Sequence, residues 1–148
     1  MTTSTQQLAD IGVSIWLDDL SKDRLTSGSL QGLMDNHTVV GVTSNPTIFA
    51  GSLAGSDSYR EDIRTMAVDG LSAEEAAFAI MVADVQGACD VLQATYDATG
   101  GIDGRVSLEV SPTLAHDTDA TVAQAIELSK KVDRPNLMVK IPATLAGI

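Results

Sequence analysis

Aliphatic residues gather into four short segments: "VSIWL" from Val13 to Leu17, "VVGV" from Val39 to Val42, "RVSLEV" from Arg105 to Val110 and "LMVKI" from Leu137 to Ile141. All are too short for a helix and rich in branched side chains, which predicts strands. Helical patterns separate them. "TSGSLQGLMDN" offers Thr26 or Ser27 as an N-cap, with Leu30, Leu33 and Met34 on one apolar face. "YREDIRTMAVDG" predicts a shorter helix ahead of the longest one, which opens on the capping-box pattern of Ser72 and Glu75. Met81, Val85, Ala88, Leu92 and Tyr96 then recur at spacings of three and four, a single buried stripe, and "TGGIDG" ends it. In "DTDATVAQAIELSKKVDRP" acids come first and Lys130 and Lys131 last, as the helix dipole prefers, with Pro135 closing the helix.

The resulting order is β-α-β-α-β-α-β, which predicts parallel strands joined by right-handed crossovers. A doubly wound sheet calls for a glycine-rich turn after the first strand, and "WLDDLSKD" contains none. An α/β barrel is the better expectation. No repeat, low-complexity tract or linker interrupts residues 1–148, so they read as one structural unit.

Side chains alternate across a strand, so each segment divides into two faces. Val13, Ile15 and Leu17 oppose Ser14, Trp16 and Asp18; Val40, Val42 and Ser44 oppose Gly41, Thr43 and Asn45. Val106, Leu108 and Val110 oppose Arg105, Ser107 and Glu109; Leu137, Val139 and Ile141 oppose Met138 and Lys140. Every strand therefore has one aliphatic face, suited to packing under helices, and one mixed face ending in a polar group. Those end groups are Asp18, Asn45, Glu109 and Lys140. Inward residues at the C-terminal ends of barrel strands build the active site, and the same parity prefers Asp18 to Asp19 as the inward acid. The alternative is a buried polar layer retained for conformational specificity. An acid, an amide, an acid and an amine converging at one end point instead to a catalytic lysine.

Composition narrows the partners. With 9 basic against 20 acidic residues the formal charge is −11, so nucleic acid and anionic membranes repel the molecule as a whole, and no basic run makes a local exception. Cys89 is the only cysteine, which rules out an internal disulfide and a paired-cysteine metal site. "MTTSTQQLAD" lacks the basic and apolar regions of a secretory signal, and the longest apolar run, "AAFAIMVA", falls far short of a membrane span. A soluble, cytoplasmic protein is the expectation.

"WLDDL", "GVTSNPTIF", "VSLEVSP" and "LMVKIPATLAGI" resemble the strand-end motifs of the transaldolase family, in the family's order, from about Val13 to Ile148. The resemblance implies a (β/α)8 TIM barrel of the non-oxidative pentose phosphate pathway, working without metal or organic cofactor. It implies reversible transfer of a dihydroxyacetone unit from sedoheptulose 7-phosphate or fructose 6-phosphate to glyceraldehyde 3-phosphate or erythrose 4-phosphate. By motif, Lys140 would be the Schiff-base lysine, Asp18 the acid/base of carbon–carbon cleavage and Glu109 the acid/base acting through water. Asn45 would bind substrate hydroxyls.

The residue types suit that chemistry. An amine condenses with a ketone to an iminium, which stabilises the carbanion left by carbon–carbon cleavage. A free lysine is only roughly four parts in ten thousand neutral at pH 7, and a dry site raises that fraction. Nearby carboxylates oppose this, so Glu109 is expected as a proton shuttle near Lys140 rather than its tight ion-pair partner. Trp16 reads as barrel packing, Arg105 as half of a structural ion pair, and His37 and His116 as solvated loop residues. Thr43, Ser44 and Thr144 are unranked hydrogen-bonding candidates. Length departs from the family: a full barrel needs about 250 residues. The 148 residues supply four strands, the N-terminal half, which is expected to require the missing C-terminal half and its phosphate-binding groups. A class I aldolase that releases the ketone and a non-catalytic half-barrel are the alternative functions.

Overall fold

The computed structural model describes residues 3–44 and 56–148. Its sheet contains β1 (Ile15–Leu17), β2 (Val39–Thr43), β3 (Arg105–Glu109) and β4 (Leu137–Lys140), all parallel and in the order β1-β2-β3-β4. Sequential order fits consecutive strands of a barrel; a doubly wound sheet would reverse direction at a switch point. The last three strands match expectation to within one residue at each end. The first is shorter, because Val13 and Ser14 lie outside it and the Ser14 hydroxyl donates to Asp103 at 2.6 Å.

Helices occupy the intervals, with two departures from expectation. An unforeseen α1 (Ser4–Asp10) is capped by the Thr3 hydroxyl and buries no residue, so it lacks the apolar stripe that would have marked it. Where one helix capped by Thr26 or Ser27 was expected, there are two: α2 (Lys22–Thr26) and α3 (Ser29–His37). Ser21 caps α2, Ser27 closes it, and Gly28, at φ 74°, supplies the left-handed residue that lets the chain restart as α3. The expected apolar face survives, with Leu30 buried and Leu33 and Met34 half-buried.

The later helices follow the pattern closely. After a 3₁₀ turn at Asp57–Tyr59 come α4 (Arg60–Val68) and the 26-residue α5 (Ala73–Ala98). Ser72 and Glu75 form both capping-box bonds, and Met81, Val85, Ala88 and Leu92 are buried against the sheet. Tyr96, half-buried, ends the stripe. Gly104, at φ 75°, follows; a Cβ there would lie 2.2 Å from the Tyr96 backbone nitrogen. Asp117 caps α6 (Thr118–Val132), whose last turn carries Lys130 and Lys131. Asp133, left-handed at φ 47°, ends that helix two residues before Pro135. Among the described residues no helix is long and apolar enough to cross a membrane.

The core lies on the predicted aliphatic faces. Val42, Val106, Leu108 and Val110 pack in one cluster with Val85, Ala88, Leu92, Leu128 and Val132, and Leu17, Leu137 and Val139 border it. Cys89 is part of this cluster, and burial pushes its thiol up to about 12, so it is inert packing. Fully buried Asn136 donates to the carbonyls of Cys89 and Gly104, both at 2.9 Å, fixing the start of β4 against α5 and β3.

A second buried polar group holds the segment after β1. The Tyr59 hydroxyl donates to Asp84 at 2.6 Å and accepts from the Lys22 backbone N–H at 2.6 Å. Burial pushes the Asp84 carboxyl above its ordinary value of 3.8. A raised carboxyl contributes stability that is fully present below that ordinary value and is lost as pH rises through the raised one. Asp84→Asn keeps an acceptor for the phenol and removes the buried charge, so stability at pH 7 should stay within about 1 kcal/mol of the parent. Asp84→Ala should cost about 1–3 kcal/mol, because the Tyr59 hydroxyl loses its Asp84 acceptor. Urea unfolding of the two variants at pH 7 checks the contrast.

Candidate active site

In a parallel sheet all C-terminal strand ends meet at one edge. Thr43, Glu109 and Lys140 are the last residues of β2, β3 and β4, and Asp18 directly follows β1. Strand register aligns the mixed faces in rows. Trp16, Gly41 and Arg105 form the lowest; Thr43, Ser107 and Met138 the next; Glu109 and Lys140 the row at the edge. The alternation expected from the sequence therefore holds across the sheet.

Glu109 and Lys140 are direct register partners, and the Lys140 ammonium forms a salt bridge with Oε1 of Glu109. Here the structure differs from the sequence reading, which kept the two apart as shuttle and amine. Same-face partners on adjacent strands start only ~5 Å apart at their Cα atoms, so a long amine and a carboxylate meet there. The glutamate side chain is 16% exposed and the lysine 50%, so the pair has one dry partner and one wet one. Oε1 of Glu109 is buried against the Lys140 ammonium. A hollow of about 170 Å3 opens beside the pair, walled by Val110, Pro112, Ile141 and Pro142. A larger groove of about 810 Å3, between α5 and α6, lies on the outer helix layer and includes none of these residues.

Asp18 is exposed at the same edge and accepts a hydrogen bond from the Thr43 hydroxyl. Asp19 turns away to Arg24, whose Nε donates at 2.9 Å. The parity preference for Asp18 thus holds. From Asp18 to Lys140 the path crosses three strand spacings, ~14 Å along the sheet, which barrel curvature and inward side chains shorten. Asn45, and the motif that follows it, lie outside the described residues.

Other candidates separate by their contacts. The Trp16 ring covers Gly41, where a Cβ would lie 2.5 Å from a ring carbon, so packing is its role. Arg105 forms no ion pair among the described residues: its Nε donates to the Gly101 carbonyl at 2.7 Å and its guanidinium stacks 5.3 Å from the Tyr96 ring. The tyrosine and the glycine turn lie just upstream of it, a local solution that needs no carboxylate. Thr144 donates to the Ala115 carbonyl and Thr118 to that of Ala146, tying the loops after β3 and β4 together. His37 ends α3 and is not a loop residue; it and His116 are exposed and outside the hollow. Among the described residues no group of three or more His, Cys, Asp or Glu side chains could hold a metal ion. Sequence reasoning overlooked Ser107, buried on the mixed face with a hydroxyl that meets no hydrogen-bonding group among the described residues. Its place two residues before Glu109 was the available signal.

The chain is also similar to known proteins. The chain is 57% identical to the transaldolase of Kocuria rhizophila, 56% to that of Thermobifida fusca and 55% to that of Frankia alni. Each match covers all of this chain but 40% of the relative, so the chain spans about two fifths of those proteins. Residues 15–148 match the profile of the Transaldolase/Fructose-6-phosphate aldolase family. The four strands belong to the (β/α)8 barrel of that family. With its lysine and acids aligned at one strand edge and its match running from β1 onward, this chain belongs to the transaldolase/fructose-6-phosphate aldolase family.

Proposed function

We propose that residues 1–148 are the N-terminal half of the barrel of a cytoplasmic, cofactor-independent transaldolase that forms a Schiff base on Lys140. The donor is sedoheptulose 7-phosphate or fructose 6-phosphate, and the acceptor is glyceraldehyde 3-phosphate or erythrose 4-phosphate. The observation that carries this reading is the Lys140–Glu109 pair at the C-terminal ends of adjacent parallel strands. An amine beside a partly dry carboxylate has a proton acceptor within reach, which is what a lysine nucleophile needs at neutral pH.

The lysine ammonium passes a proton to Glu109, leaving a neutral amine and a carboxylic acid. The amine adds to the donor ketone, one N–H proton moving to the oxygen to give the carbinolamine. Glu109 returns its proton to that hydroxyl; the C–O bond breaks, the nitrogen lone pair closes the C=N bond, and water leaves. Asp18 then accepts the proton of the hydroxyl two carbons from the iminium carbon, on the carbon that becomes the departing aldehyde. The adjoining carbon–carbon bond breaks, its electrons enter the iminium, and the aldehyde departs. The remaining three-carbon enamine attacks the acceptor aldehyde by the reverse path. Asn45 binds substrate hydroxyls in this scheme. Substrate phosphate falls to the other half of the barrel.

Two features support the half-barrel part of the proposal. Among the described residues β1 and β4 are edge strands, each paired on one side. Met138 in β4, and Ile141 and Leu145 after it, are exposed at 45%, 36% and 94%. Open edges and exposed aliphatics suit a surface completed by further strands. The family name also includes fructose-6-phosphate aldolases, so release of the ketone is the second reading. The complete barrel, meaning these residues with the remaining strands, separates the two. Given fructose 6-phosphate, a transferase should turn over fast only when erythrose 4-phosphate is added. A rate unchanged by the acceptor would establish the aldolase.

A further inference from the structure

Asp18 lies on a connection without regular structure between β1 and α2. Upstream the chain is fixed at the preceding residue, where Leu17 pairs in register with Val42 of β2. Downstream, Leu20 packs in the core, but apolar packing is non-directional and fixes depth more than direction. The directed tie comes at Lys22, the first residue of α2, whose backbone N–H donates to the Tyr59 hydroxyl at 2.6 Å. Tyr59 is fully buried, and its hydroxyl donates in turn to Asp84 of α5 at 2.6 Å. Two further links join the same stretch to residues 56–62, from the Lys22 ammonium to Asp62 and from the Ser56 hydroxyl to Asp23. Both are open to solvent and hold a backbone weakly, so the buried tyrosine carries the restraint.

As packing alone, the Tyr59–Asp84 pair is a poor choice. A buried carboxylate gives up its water, which is why burial pushes Asp84 above its ordinary value. Phenylalanine at 59 and an aliphatic residue at 84 would fill the space with no polar group to desolvate. Such replacements are often neutral or stabilising. What the polar pair provides is an acceptor for the Lys22 N–H, held in one orientation by its second hydrogen bond.

We infer that Tyr59 is a positioning residue for carbon–carbon cleavage: oriented by Asp84, its hydroxyl pins the start of α2 and so fixes the backbone that presents Asp18. The inference rests on the Schiff-base reading and adds a residue to it. Thr43 orients the Asp18 carboxylate, and Tyr59 sets where its main chain lies. A base must sit within hydrogen-bond reach of the proton it takes, so a shift of this connection acts directly on cleavage. Glu109 and Lys140 stand on β3 and β4, outside the stretch that Tyr59 ties, so imine formation is spared.

Tyr59→Phe in the complete barrel keeps the ring and removes the acceptor. With fructose 6-phosphate as donor and erythrose 4-phosphate as acceptor, kcat should fall about 10- to 100-fold, as for a catalytic group misplaced by ~1 Å, while KM holds or falls. Borohydride should trap adduct at the parental rate, but as the whole donor in place of a three-carbon unit. Lost stability alone would not move that ratio. The single variant leaves Asp84 buried without its donor, so Tyr59→Phe combined with Asp84→Leu is its companion. Replacing both polar partners should leave the urea midpoint equal or higher, with cleavage as slow as in Tyr59→Phe. A parental share of three-carbon adduct in either variant overturns the inference. So does a lower urea midpoint in the double variant, which would make the pair a stability element. Failure of the Schiff-base reading looks different: the parent would carry no adduct on Lys140, or Asp18→Asn would leave the three-carbon adduct unchanged.

Discussion

Lys140→Arg in the complete barrel should lose transfer activity by at least about 10⁴-fold while folding normally, the scale on which losing a covalent nucleophile acts. Arginine is the informative replacement. It keeps a cation opposite Glu109, whose side chain is 16% exposed and would otherwise lose its charge partner. A guanidinium stays protonated at any working pH and cannot add to a ketone. Turnover and trapping by borohydride should therefore vanish together, with near-UV circular dichroism unchanged. Lys140→Met confuses the two effects, because it removes the nucleophile and leaves a half-dry carboxylate unpaired. Residual activity above about one hundredth of the parent in Lys140→Arg would mean that another group does the chemistry.

Asp18→Asn should produce the second large effect, of a different kind. Its side-chain oxygen still accepts from Thr43, so the local geometry is kept, but it no longer takes a proton from the substrate hydroxyl. Carbon–carbon cleavage should slow by about 10²–10⁴-fold, the usual range for a lost general base. Imine formation depends on Glu109 and Lys140, two and three strands away, and should continue. Borohydride should therefore trap the whole donor on the protein instead of a three-carbon unit. A three-carbon adduct formed at the parental rate would remove Asp18 from the cleavage step.

The strand faces and the long helix were legible because their determinants are local. Alternation over five residues sets which way Leu108 and Glu109 point, and spacings of three and four commit Met81 through Leu92 to the core. The Ser72–Glu75 box likewise closes within one turn. Features fixed by distant partners were not legible. Asn136 bonds across 47 and 32 positions, and Tyr59 and Asp84 across 25. The tightness of the Glu109–Lys140 pair depends on strand register, which nothing within either segment reveals. The Gly28 restart depends on a backbone angle that serine and threonine beside it made look like an ordinary cap. At the site, the direction of Asp18 could be read from parity, but the unpartnered hydroxyl of Ser107 needed its surroundings.

One experiment reaches the centre of the mechanism. The complete barrel is incubated with fructose 6-phosphate, reduced with borohydride, digested and mapped by mass spectrometry. The Schiff-base mechanism requires a reduced three-carbon adduct on the peptide containing Lys140, and on no other lysine. An adduct confined to Lys130 or Lys131, on the last turn of α6, or no adduct from an enzyme that still turns over, would contradict it.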